Sequence, residues 1–193
     1  MEMPENLAYD YDQYEDEPDY ELIGGEKYFM AAPAPRISHG TIVGKLYFTF
    51  TNYILKNNIE AAVFGDNTDV YLSDKYHCKP DLSVICNLKL IENDKYIDGV
   101  PDLIIEVLSE STMKNDLGVK KDAYEKHGVK EYWIVDPWSQ RVDVYLLADG
   151  KFTSGGIYKV QNEDTELKNE IKVSIFEDLT IDLRTIFKRW FEH

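Results

Sequence analysis

The sequence predicts an α/β domain, and three observations lead there. Residues 100–108 read Val-Pro-Asp-Leu-Ile-Ile-Glu-Val-Leu, a short apolar run bounded by turn signals, as a buried strand is. Residues 39–56 repeat apolar side chains at helical spacing, with Ile42, Leu46, Phe50 and Ile54 four apart. Residues 131–135 and 141–147 flank the turn signal Asp136-Pro137 and read as adjacent strands.

In order along the chain, residues 1–20 hold eight acidic residues and no Lys or Arg, so residues 1–18 are expected to form a flexible acidic arm and residues 19–193 one domain. Gly24-Gly25 between two short apolar stretches predicts a hairpin over residues 20–30. Pro33 and Pro35 mark a loop over 31–36, and Ser38 is a candidate N-cap for the helix over 39–56. Residues 61–64, 70–72 and 81–86 read as strands, 87–98 as a polar connection, and 103–108 as the central strand. Ser111-Thr112 is expected to open a second helix that ends at Gly128, a C-cap residue. Further short strands over 151–173 and a helix over 183–191 complete the domain.

Composition narrows the function classes. The net charge is −15, and removing the −8 of residues 1–20 still leaves −7 over residues 21–193. Non-specific affinity for nucleic acid comes from neutralising phosphates, so a nucleic acid substrate needs a local basic patch or bridging metal ions. Only Cys78 and Cys86 are present, which gives neither a disulfide framework nor a four-ligand zinc pattern. No stretch approaches the roughly 20 apolar residues of a membrane span, and the N-terminus lacks signal-peptide regions. The expected compartment is the cytoplasm, with no membrane partner. Many tyrosines leave room for a homo-oligomer, and a two-fold homodimer is the commonest closed assembly.

Glu106 lies within the central strand, where an unpaired charge costs several kcal/mol (about 3–5 when a buried pair is broken). Alternation puts Asp102, Ile104 and Glu106 on one face and Leu103, Ile105 and Val107 on the other. Asp81 opens another strand after Pro80, and if the two strands are neighbours its carboxylate can meet Glu106 as a metal site. A wheel of residues 113–127 gathers Met113, Leu117, Val119, Ala123 and Tyr124 within an arc of roughly 160°. Asp116, Lys120 and His127 fall inside that arc, so Lys120 is expected to point inward and Lys121 outward. Lys120 can pair with Asp116 on its own helix or with Glu106. Phosphodiester hydrolysis needs carboxylates to hold a divalent cation and a positive charge beside the attacking water. Asp81, Glu106 and Lys120 form such a set.

The chain then resembles the Uma family of restriction-endonuclease-like proteins, in the PD-(D/E)XK nuclease superfamily. The residues that carry the resemblance are Pro80-Asp81, Pro101-Asp102 through Glu106 to Ser109, Ser111-Thr112, the four-residue steps Asp116, Lys120, Tyr124 and Gly128, and Glu131-Tyr-Trp-Ile-Val-Asp136-Pro137. Tyr20-Glu21-Leu-Ile, Gly25-Glu26 and His39 are similar to the family's N-terminal pattern. The resemblance implies a restriction-endonuclease-like mixed sheet flanked by helices, here with an N-terminal hairpin and C-terminal strands and helix. It further implies a Mg²⁺- or Mn²⁺-dependent endonuclease acting on nucleic acid, DNA first, with Asp81 and Glu106 as metal ligands. The superfamily's usual lysine position, two residues after the acid, is Leu108 here, and Lys120 is the substitute. His39, Glu21, Tyr124 and Asp102 are accessory candidates. The ordinary alternatives are a packing or capping histidine, an exposed hairpin acid, a packing tyrosine and a strand-opening turn residue. The competing function is a binding or regulatory module that keeps the fold without turnover.

Overall fold

In the computed structural model residues 20–29, 36–65, 68–160 and 169–188 are described. The acidic arm expected at 1–18 and most of the proline loop lie outside the described residues. The Gly24-Gly25 turn, with φ of 66° and 88°, folds β1 (Tyr20–Ile23) onto β2 (Glu26–Phe29), as the glycine pair predicts. α1 (Ile37–Lys56) begins earlier than Ser38 suggests: Arg36 is the N-cap, in extended conformation and without a side-chain cap bond, so Ser38 lies in the first turn. The repeat that predicts this helix is the face it buries, through Ile42, Leu46, Phe50 and Ile54.

Five strands of at most five residues follow, namely β3 (Ala62–Gly65), β4 (Val70–Ser73), β5 (Tyr76–Cys78), β6 (Leu82–Ile85) and, after a 3-10 turn at Leu88–Ile91, β7 (Ile97–Asp98). The polar connection expected over 87–98 therefore contains a helical turn and a strand. β8 (Leu103–Val107) leads to α2 (Met113–Asp116) and α3 (Val119–His127), then β9 (Glu131–Asp136), β10 (Arg141–Ala148) and β11 (Lys151–Lys159). The expected single helix is broken before Gly118, which is the N-cap of α3; a Cβ there would stand 3.0 Å from the Lys114 carbonyl oxygen. Gly128 ends α3 in the left-handed region at φ 90°, as predicted. β12 (Glu170–Lys172), β13 (Thr180–Asp182) and α4 (Leu183–Phe187) close the described chain. Residues 189–191 of the predicted last helix lie outside the described residues.

The main sheet runs β11-β10-β9-β8-β6-β3, antiparallel except for the central pair β8 and β9. Parallel neighbours need a crossover, and α2 and α3 supply it. A second sheet runs β2-β1-β5-β4-β7, and β12 pairs with β13. Every residue of β8 is buried because both of its faces are covered. Leu103, Ile105 and Val107 pack with α1, α4 and the β12–β13 pair around Phe50 and Trp133. On the reverse face Ile104 and Leu108 pack with α3 and the second sheet around Tyr124 and Tyr132. The alternation inferred from sequence thus assigns each face of β8 to a different core. Glu106 lies on the face shared with Ile104, between the main sheet and the second sheet. No helix among the described residues is long and apolar enough to cross a membrane.

Candidate active site

β6 and β8 are antiparallel neighbours, with Leu82 opposite Ile105. Asp81, one residue before β6, therefore arrives beside Glu106 and Val107. Its Oδ2 accepts from the Val107 N–H at 2.6 Å, and its own N–H donates to Glu106 Oε2 at 3.3 Å. The Glu106 carboxylate is thus tied to the backbone of Asp81, and the Asp81 carboxylate to the strand residue after Glu106. His39, in the first turns of α1, brings Nε2 to 3.2 Å from the same Asp81 Oδ2.

Lys120 points inward from α3, with 4% of its side chain exposed. Its ammonium stands 2.6 Å from Glu106 Oε1, 3.0 Å from Glu21 Oε1 and 3.3 Å from Asp116 Oδ1. Tyr124, one turn later on the same face, donates its hydroxyl to Glu106 Oε1 at 2.8 Å. Both alternatives for Lys120 hold at once, since it pairs with Asp116 and with Glu106. Lys121 faces away from the site, and its ammonium lies 3.6 Å from the centroid of the Tyr145 ring.

Glu21 differs from the exposed hairpin acid that its position suggests. It is buried, because the second sheet lays β1 over α3, and its Oε1 also accepts from the Lys79 N–H at 2.9 Å. Asp116, an i−4 helix partner in sequence terms, is a fourth carboxylate of the cluster; neither of its oxygens accepts a well-formed hydrogen bond. Asp102 is not at the site. At the opposite end of β8 from Glu106 it accepts from the Cys86 N–H at 2.7 Å and from Lys130 Nζ at 2.6 Å, the structural role of a strand-opening residue. Leu117, placed in the apolar arc, is exposed because the helix breaks beside it.

Electrostatics follow from the burial. Desolvation pushes the Glu106 carboxyl well above the usual carboxylate range, Lys120 pulls it back, and Asp116, Asp81 and Glu21 add to the rise. Asp116 is raised by burial too, against the pull of Lys120. Burial opposes the charge on Lys120, but Glu106, Asp116 and Glu21 outweigh it, and its pKa rises well above that of a free lysine. Lys120 is therefore a fixed cation, and the excess of negative charge falls on Glu106. Tyr124 is held far above an ordinary phenol by burial and by Glu106, so it remains a donor. Burial lifts the Cys78 thiol to about 12, which leaves no thiolate for metal or nucleophilic chemistry. His77, its neighbour, faces the other way and bonds Asp69 Oδ1 at 2.6 Å.

Among the described residues no three Asp, Glu, His or Cys side chains already converge as metal ligands. The donor set nonetheless suits a hard cation that takes few protein ligands. Mg²⁺ binds through one or two carboxylates and completes its shell with water and phosphate oxygens, and Asp81 and Glu106 are such a pair, partly open on the Asp81 side.

No curated protein matches the chain. A solved structure, a protein from Anabaena variabilis described as a "putative nuclease belonging to DUF820", superposes with a TM-score of 0.66 at 22% identity, covering 89% of this chain and 90% of its own. That likeness establishes a shared fold, a mixed α/β core of the restriction-endonuclease-like kind. The Uma2 family, described as "Putative restriction endonuclease", matches residues 8–184, a span that takes in every residue of the carboxylate–lysine cluster. The chain belongs to the Uma2 family.

Proposed function

We propose that the protein is a divalent-metal-dependent endonuclease that hydrolyses phosphodiester bonds in DNA. The observation that carries this reading is the charge imbalance of the cluster, in which Glu21, Glu106 and Asp116 surround the ammonium of Lys120, the one lysine that reaches them among the described residues, and Asp81 joins through Glu106. Buried, uncompensated negative charge is costly, and a hard dication with oxygen ligands offsets it. Mg²⁺ or Mn²⁺ would be held by Asp81 and Glu106 and would supply an acidified water and neutralisation of charge on the phosphorane.

The chain's own groups divide the remaining work. Lys120 keeps its proton, so it orients the attacking water and stabilises negative charge on the phosphate rather than acting as a base. Glu21 and Asp116 position Lys120, and Tyr124 fixes the orientation of Glu106. His39 and the Val107 N–H fix Asp81. A two-fold homodimer acting in the cytoplasm is the assembly that goes with this reading, on the general frequency of such dimers.

One observation favours a second reading, a binding or regulatory module without turnover: at 2.6 Å, Lys120 already satisfies the Glu106 oxygen that a metal would share. Plasmid cleavage with Mg²⁺, Mn²⁺ or EDTA separates the two. Metal-dependent nicking that falls at least about a hundredfold in Glu106→Gln and in Asp81→Asn, on the scale of a lost electrostatic group, supports the nuclease. Nicking unchanged in both variants, or DNA binding without nicking in the wild type, refutes it.

A further inference from the structure

A ring of contacts closes around Asp81. On one side His39 Nε2 reaches Asp81 Oδ2 at 3.2 Å, and one turn earlier on α1 the Arg36 carbonyl accepts from the His39 N–H at 3.0 Å. On the other side the Val107 N–H donates to the same Oδ2, and the loop that leaves β8 reaches Glu110 three residues later. The Arg36 guanidinium and the Glu110 carboxylate join the two arms as an ion pair. Both arms are short, since a helical turn rises about 5.4 Å and three residues of chain span at most about 10 Å. The pair therefore stands at the rim of the cluster, at the carboxyl end of β8, where open α/β sheets place their ligands. It also stands beside the most open side of the cluster: Asp81 keeps 16% of its side chain exposed, against 4% or less for Glu106, Asp116 and Lys120. Arg36 and Glu110 are themselves 67% and 70% exposed. Residues 27–59 contain no acid, and Glu110 is the one charged residue between Glu106 and Lys114. In the same loop the Ser111 and Thr112 hydroxyls lie 3.0 and 2.9 Å from that of Ser109.

We infer that Arg36 is the clamp for a backbone phosphate next to the one cleaved, and that Glu110 occupies the clamp until that phosphate arrives; the inference rests on the nuclease reading above. A guanidinium takes a carboxylate and a phosphate with the same planar fork, so Glu110 stands in for the phosphate in the free protein. An exposed ion pair contributes little to stability, and the fold gives up little when a phosphate takes the place of Glu110. The clamp meets a need set by the composition. A chain of net charge −15 has to offer a polyanion a local positive contact, and Lys120, at the centre of the cluster, is buried and taken up by three carboxylates. Arg36 offers that contact at the rim, and the neighbouring Ser111 and Thr112 add hydroxyl donors of the kind that fix a backbone in register. Arg36 acts through binding, holding the strand over Asp81, and takes no part in the chemical step.

The test is a double-mutant cycle on Arg36→Gln and Glu110→Gln, both at exposed positions. Arg184→Gln is the control, because Arg184 forms a comparable pair with Asp182 at the start of α4, which packs on the other face of the main sheet. Plasmid nicking with Mg²⁺ gives KM and kcat, and anisotropy of a fluorescent duplex in Ca²⁺ gives Kd and its salt dependence. Arg36→Gln is expected to raise KM and Kd about five- to thirtyfold with kcat within about twofold, and to flatten the slope of log Kd against log salt by about one. Glu110→Gln is expected to lower KM about three- to tenfold, a gain that vanishes in the double variant. If the wild type nicks DNA and Arg36→Gln behaves like Arg184→Gln, the clamp falls and the nuclease reading stands. A gain from Glu110→Gln that persists in full without Arg36 would make Glu110 a source of general repulsion and overturn the inference. A loss of kcat with KM unchanged would place Arg36 on the transition state and overturn it too. A wild type that does not nick DNA brings down both the clamp and the nuclease reading.

Discussion

Replacing Lys120 with methionine keeps the stem and removes the one cation that, among the described residues, pairs with Glu21, Glu106 and Asp116. At an effective dielectric of about 20, each of those contacts is worth about 5–6 kcal/mol of gross attraction. Desolvating the ions takes back several kcal/mol apiece, and breaking a buried pair from one side costs about 3–5 kcal/mol net. That loss is a large part of the roughly 5–15 kcal/mol of a typical domain. It should also depend on pH. Glu106 and Asp116 are raised in the folded protein even beside Lys120, and without it they rise further. A carboxyl whose folded pKa is raised contributes stability that is full below its unfolded value, near 4, and lost as pH climbs through the folded value. Lys120 itself, also raised, loses nothing until alkaline pH. Urea unfolding followed by circular dichroism should therefore show a deficit for Lys120→Met that is small at pH 5 and full at pH 8. Adding Glu106→Gln should recover part of it. A loss below about 1 kcal/mol at pH 8, within the range of an exposed pair, would refute the reasoning that the cluster is starved of positive charge.

The other predictions probe the site's edges. Lys120→Met should lower nuclease activity at least about a hundredfold without weakening Mn²⁺ binding, whereas Lys121→Ala should leave activity intact and cost at most about 1 kcal/mol through its Tyr145 contact, since equal losses would show that the α3 phase is irrelevant to catalysis. Glu131→Ala should cost about 3 kcal/mol or more with metal affinity unchanged, because Glu131 is buried and accepts from Trp133 Nε1 and from the Ser174 and Ile175 N–H groups; a change in Mn²⁺ affinity would contradict this purely structural role. Removing residues 1–18, which carry seven acids and no base, should speed association with DNA at low ionic strength and make little difference near 0.15 M, where the Debye length is about 8 Å. Stopped-flow traces that coincide at low salt would assign the arm no electrostatic role.

The carboxylate–lysine centre is legible in the sequence because its members break local patterns. Glu106 interrupts an apolar strand and Lys120 interrupts an apolar helical face, and each anomaly is the other's explanation. Asp116 falls inside the same apolar arc, so its inward direction is legible, but by residue type and spacing it reads only as the helix partner of Lys120 and not as a further member of the centre. Glu21 is harder still. Its burial depends on β1 lying over α3, a contact between elements about a hundred residues apart, and four-residue strands carry too little periodicity to reveal it. The second sheet is obscure for the same reason, because β5 and β7 have three residues and two. The break at Gly118 had a signal, a glycine within a helical pattern, but Met113, Val119, Ala123 and Tyr124 keep the pattern going across it. Ser38 shows the opposite error: a favourable cap residue does not set a helix start when Arg36 and Ile37 can already enter the helix.

The most direct test of the central claim is a calorimetric titration of Mn²⁺ into the wild-type protein and into Glu106→Gln, repeated in buffers of different ionisation enthalpy near neutral pH. A cation shared by Asp81 and Glu106 has to displace whatever proton the raised Glu106 carboxyl retains. The wild type is expected to show a single site with buffer-dependent proton release, and Glu106→Gln neither the site nor the release. Mn²⁺ binding that is absent from the wild type, or identical in the variant, would contradict a metal centre at Asp81 and Glu106.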